Sequence, residues 1–158
     1  MKKGSTIFLK FVLIIITILA ITLLLWIPQN EGKAANLNLL DIYTDPFVIY
    51  IYISSIPLFI GVYQAFKLLN LIDSNKAFTQ KAVNTLRNMK LASISLIGFI
   101  ILALLYIRFF VNGDDVAGPT MLGTCMILAF TVIATATSVF QKLFQNAVDI
   151  KSENDLTV

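Results

Sequence analysis

Apolar residues dominate four long stretches of this chain, and polar residues gather between them. The first stretch, Ile7 to Ile27, reads IFLKFVLIIITILAITLLLWI. Roughly 21 residues at about 1.5 Å of helical rise each cover about 30 Å of hydrocarbon, so it predicts a membrane-spanning helix. Lys10 lies near one end, where a long stem lets the ammonium snorkel to the headgroups. Trp26 lies at the other end, where an indole favours the interface. A cleaved signal peptide is the rival reading, with Gly32-Lys33-Ala34 as a small-x-small site. The apolar run exceeds the usual core of about 7–15 residues, which favours a retained helix.

The second span is expected from about Pro46 to Leu69, with Asp45 as N-cap and Pro46 in the first turn, where its missing N–H costs nothing. Pro57, mid-span, predicts a kink. The third span is expected from about Leu91 to Val111. The fourth runs from about Pro119 to Phe140. The 158 residues then form a single four-span membrane domain, with a loop over 70–90 and a tail over 141–158. No internal repeat and no low-complexity segment stand out.

The polar positions carry a second layer of pattern. Thr120, Thr124, Thr131, Thr135, Ser138 and Lys142 fall within about 40° of one line at about 100° per residue. Tyr50, Ser54, Pro57, Gly61 and Gln64 align similarly in the second span. Lipid does not favour such faces, so both are expected to turn toward other helices, with small residues allowing close approach. They read either as packing contacts or as the lining of a solute pathway. Ser54, Gln64, Thr124, Thr131, Thr135 and Ser138 are the candidate interhelical residues.

In the loop, Ala82, Val83, Leu86 and Met89 form an apolar stripe, with Lys81, Arg87 and Lys90 outside it. This predicts a short amphipathic helix beginning at Thr79 as N-cap, with Phe78 and Val83 spaced for a hydrophobic staple. Such a helix is drawn to anionic lipid. The alternative is a docking surface for a partner or for the chain's own tail. Past the fourth span, Phe140, Leu143, Phe144, Ala147, Val148 and Lys151 keep helical spacing. The helix is expected to stop near Lys151, with Asn154 terminating it and Leu156-Thr157-Val158 extended. The tail is either free or docked, Glu153 and Asp155 meeting Lys81, Arg87 and Lys90 while Leu156 and Val158 anchor it.

Composition agrees: 58% of residues are hydrophobic and 13% charged, against about a quarter charged in soluble domains. Mean hydropathy is +0.84. The fold class expected is therefore all-α: a polytopic membrane protein, a four-transmembrane-helix bundle with a short amphipathic cytoplasmic helix and a C-terminal helical extension. Charge orients it. Lys2, Lys3, Lys10, Lys67, Lys76, Lys81, Arg87, Lys90, Lys142 and Lys151 fall on the side of the N-terminus, and only Lys33 and Arg108 on the other. The positive-inside bias places both termini in the cytoplasm. It also explains the net charge of +3 without direct nucleic-acid binding.

The chemical inventory is thin. There is no histidine and one cysteine, Cys125. Zinc, haem and iron–sulfur sites lack their usual ligands, and no cofactor or metal is expected. No nucleophile–base pair and no phosphate-binding glycine loop occurs, so catalysis is not expected. Asn112-Gly113-Asp114-Asp115 reads as a tight turn between spans. No Asp, Glu or His lies deep in a span, which weighs against a proton-coupled carrier.

Two stretches, AFTQKAVNTLRNMK and the terminal IKSENDLTV, carry a family resemblance. With four spans in about 160 residues, the chain resembles the bacterial membrane-protein family called domain of unknown function 2975. Phe78, Thr79, Ala82, Val83, Leu86 and Arg87 fit the family's loop segment. Glu153, Asn154, Asp155, Leu156, Thr157 and Val158 fit its ending. The resemblance brings no activity with it. It does imply a cytoplasmic protein partner such as a small helix-turn-helix regulator. Phe78, Thr79, Val83, Leu86, Arg87 and Glu153 to Val158 are accordingly the candidate cytoplasmic recognition residues. The function expected is a non-enzymatic regulatory or assembly protein in the bacterial cell membrane, with a transporter or passive-channel subunit as the alternative. Beyond the lipid bilayer and such a partner, homo-oligomerisation is left open.

Overall fold

The computed structural model describes residues 3–30, 43, 45–110 and 116–156. They form four helices: α1 (Lys3–Asn30), α2 (Pro46–Asp73), α3 (Gln80–Phe110) and α4 (Ala117–Leu156). All four are long and apolar enough to cross a membrane. The described residues contain no strand. Expected outer-loop features at Glu31 to Ala34, Asp41 and Asn112 to Asp115 lie outside the described residues.

Each helix packs chiefly on its neighbours in sequence: α1 on α2, α2 on α3, and α3 on α4. Successive helices run antiparallel, so the start of α1 and the end of α4 share one end of the molecule, here called the base. Contacts along the chain fix the levels. At the far end the Phe47 and Tyr106 rings stack at 6.5 Å. Nearer the base, a Cβ on Gly61 would sit 3.7 Å from that of Ala92. Between α3 and α4, Gly123 lies against Leu104, and Phe78 against Phe144 at the base.

Local chemistry explains the helix limits. Asp45 is extended, and its Oδ1 accepts from the Phe47 amide at 2.8 Å, capping α2 ahead of Pro46. The helix continues through Pro57 to Asp73. It ends as the Ser74 and Lys76 amides donate back to Asn70 and Leu71, with Asn75 at φ +57°. Asn tolerates that left-handed conformation through its short polar side chain, so the turn to α3 needs no glycine.

This turn is much shorter than the expected 70–90 loop. The amphipathic segment is no separate helix on the membrane surface; it forms the first turns of α3, continuous with the span. Likewise α4 does not stop near Lys151. Its 40 residues reach Leu156, a length of about 60 Å, roughly twice the hydrocarbon thickness.

The core is lopsided. Thr6, Leu69, Ala82, Val83, Thr85 and Leu86 are buried at the base, and Gln64, Ala92, Ser93, Leu96, Ala134 and Thr137 in the layer above. Toward the far end, Val48 is the buried hydrophobic side chain among those described. Along α1, the apolar side chains stay open to the surroundings. Lipid tails are as apolar as leucine, so exposed spans need not close on themselves.

Candidate functional site

The expected recognition residues Phe78 to Arg87, with Glu153 and Asn154, lie at the base. Its centre is an antiparallel pair: the first turns of α3 against the part of α4 beyond Phe140. Ala82, Val83, Thr85 and Leu86 are buried, while Lys81, Asn84, Arg87 and Asn88 are exposed. The apolar stripe expected to meet lipid is thus covered by protein. Beside it runs α4, which meets the start of α3 through Phe144 and Gln145. Thr85 Oγ1 donates to the Lys81 carbonyl at 2.8 Å, so its burial leaves no unpaired hydroxyl.

Thr79 and Phe78 act differently from the staple and cap expected of them. The Thr79 carbonyl does accept the Ala82 and Val83 amides at the helix start. Its hydroxyl turns back to donate to the Lys76 carbonyl at 2.8 Å, closing the turn. The Phe78 ring meets Phe144 of α4 at 5.3 Å, a tilted aromatic contact. Gln80 Nε2 donates to Gln145 Oε1 at 3.4 Å, and Gln145 Nε2 to Asp149 Oδ1 at 2.8 Å.

Helix geometry bears directly on the expected docking of the tail. The Gln80–Gln145 contact sets a common level. Glu153 lies about 12 Å beyond that level, whereas Arg87 lies about 10 Å to the other side. Because α4 continues as a rigid helix, Glu153 is carried away from Arg87 and Lys90. Glu153 and Asn154 are exposed on its last turns. The Asp155 and Leu156 side chains, and Thr157 and Val158, lie outside the described residues.

At the edge of the base, Lys10 Nζ bonds Asp73 Oδ2. Lys10 was expected to reach the headgroups; it also ties α1 to the last residue of α2. Asp73 was missed because it was read as loop. Its signal was a lone acid facing a lone lysine at the same predicted depth. At the opposite end of α1, Tyr52 Oη donates to the Leu24 carbonyl at 3.1 Å.

The two polar stripes part company. On α2, Tyr50 Oη donates to the Phe99 carbonyl of α3 at 2.6 Å, Gly61 approaches Ala92, and Gln64 is only 9% exposed. Ser54 Oγ donates within its own helix to Ile51. Gln64 Oε1 is buried with no hydrogen-bond partner. On α4, Thr124, Thr131 and Thr135 are exposed and Ser138 half-buried, so this stripe does not turn toward another helix of the chain as expected. Each threonine donates to the carbonyl four residues earlier, at 2.7–2.8 Å. A hydroxyl satisfied on its own helix can face outward at little expense.

The described residues also carry concave features. A cavity of about 310 Å³ lies between α2 and α3 near the far end, lined by Pro46, Phe47, Tyr50, Leu102, Ala103 and Tyr106. A shallow hollow of about 370 Å³ lies on α4 at Thr131, Val132, Thr135 and Ala136. Among the described residues, no group of three His, Cys, Asp or Glu side chains could hold a metal.

Four apolar helices of spanning length, packed in chain order, define a four-span all-helical membrane protein. Its sequence matches, over residues 5–158, the family described as "Protein of unknown function (DUF2975)", and the chain belongs to that family. It is also 39% identical over 160 residues to the uncharacterized membrane protein YoaS of Bacillus subtilis (strain 168), covering 100% of both chains. No solved structure matches it.

Proposed function

We propose that this chain is a non-enzymatic protein of the bacterial cell membrane whose base lies in the cytoplasm and serves there as a recognition surface for regulation or assembly. The observation that carries this reading is the base itself. Buried side chains concentrate there, and α4 extends well past the length a bilayer requires. A helix pair packed outside the hydrocarbon presents a defined surface to water. Lys81, Arg87, Lys142 and Lys151 ring that surface. The placement of positive charge at this end supports a cytoplasmic orientation. A cytoplasmic protein such as a small helix-turn-helix regulator is the partner proposed. The family resemblance supports that choice.

The transporter alternative has less support. The α4 threonines open outward from the chain, and their hydroxyls are already bonded to their own helix.

Affinity capture from gently solubilised membranes tests the reading. Full-length protein is compared with Lys81→Glu/Arg87→Glu and with a chain truncated after Lys151. Loss of a specific co-purifying protein in either altered form is expected. Identical partner sets in all three would overturn the role of this surface. Reporter fusions at both termini should report from the cytoplasmic side; an outward-facing terminus would overturn the orientation.

A further inference from the structure

The side of α4 turned away from α3 has a regular pattern of its own. At about 100° per residue, Val132, Ala136, Val139, Leu143, Asn146 and Ile150 fall within about 40° of one line. That line is opposite the face carrying Gly123, Ala134 and Thr137, which is buried. All six stripe residues are exposed. Their spacing is 4-3-4-3-4, the alternation by which one helix presents a continuous seam to another.

Lipid accounts for only part of this seam. With the span ending near Phe140, Ile150 lies about 15 Å further along the helix. The headgroup layer adds only about 5–8 Å per side to the hydrocarbon. Yet Ile150 is 61% exposed and Leu143 56% exposed. A stripe that keeps its register from bilayer into water calls for a protein surface that crosses the same boundary.

We infer that this seam is the interface with a second copy of the chain, α4 against α4 in a parallel pair. Two copies inserted the same way are related by an axis along the membrane normal, so their α4 helices run parallel. Each seam residue then meets its own counterpart. Val139, Leu143 and Ile150 stack apolar layers, and Asn146 meets Asn146 of the second copy. A lone Asn within such a seam fixes register by pairing with itself. As far as Ile150, charge does not oppose the arrangement. The flanking positions that meet across a parallel pair bring Lys142 near Ala147 and Asp149 near Asn154, with no like charges apposed. Next in the series is Glu153, where the apolar seam stops. The hollow at Thr131, Val132, Thr135 and Ala136 lies along the same side and is open to receive the second helix. This inference goes beyond the proposed recognition role and stands whether or not the base binds a partner.

The single native cysteine makes the test clean. In a Cys125→Ser background, Val139→Cys, Leu143→Cys and Ile150→Cys are each oxidised mildly in native membranes. Ser152→Cys, exposed on α4 about 160° from the seam, and Asn84→Cys, exposed on α3, are the controls. Disulfide-linked dimers are expected at the seam positions, at least about tenfold above the controls. As a second measure, Leu143→Glu with Ile150→Glu should lower the dimer fraction after gentle solubilisation about tenfold, with membrane insertion intact. Equal cross-linking at seam and control positions, no cross-linking at the seam, or a dimer fraction unchanged by the double substitution would each overturn the inference.

Discussion

Replacing Leu86 by Ala should loosen the base specifically, and the size of the effect follows from where the residue sits. Leu86 is 3% exposed, with Ala82, Val83 and Thr85 buried around it. The substitution removes three carbons, at about 0.8 kcal/mol per buried methylene, or about 2.4 kcal/mol of transfer free energy. The neighbours are small or already engaged, so the space collapses only partly, and a total of about 3 kcal/mol falls within the range for such changes. That full transfer term applies with the base outside the bilayer, as proposed above. In the span, lipid replaces water and the term largely vanishes. Hydrogen exchange in nanodiscs reads the difference. Amides over 80–90 and 140–150 should exchange roughly 100- to 200-fold faster, the factor that about 3 kcal/mol sets. Exposed Arg87→Ala should stay within about 0.5 kcal/mol of the parent. Leu105→Ala, half-exposed toward lipid, should leave the base unchanged. Unchanged exchange in Leu86→Ala would refute the packed base.

Two further outcomes are expected. Lys10→Asp should free the start of α1, measured as faster proteolysis near the base. Adding Asp73→Lys should restore most of the protection, and no rescue by the exchanged pair would count against a charge contact. Gln64→Leu should raise the thermal midpoint in detergent, because it replaces a buried acceptor without a partner, a group costing about 1–3 kcal/mol, by apolar volume of similar size. A lower midpoint would show that the amide finds a donor.

Most of the fold was legible because spans are written in long apolar runs that require no knowledge of tertiary contacts. Asp45 and Pro46 marked the start of α2 correctly, since a cap acts through its own helix. The base was read less well. Its turn was overlooked because Asn75 carries the left-handed conformation that a glycine would have advertised. The stripe at Ala82, Val83 and Leu86 was visible, but periodicity gives a face and not what covers it. Phe144 and Gln145, which meet Phe78 and Gln80 beside the stripe, are remote in sequence. The two polar stripes looked alike in projection, yet only the α2 stripe faces a neighbour. Hydroxyls that bond their own helix put no constraint on which way a helix turns.

The contact between Lys10 and Asp73 also bears on how the chain is made. The two residues are 63 positions apart. At about 5–20 residues per second, Asp73 is synthesised roughly 3–13 s after Lys10. Throughout that interval α1 has to hold its place in the bilayer with the lysine served by headgroups and water alone. Its very apolar sequence suits this early solitude, and so does the lysine's position near the end of the helix. The carboxylate then arrives as a late clasp, closing on a helix already in place.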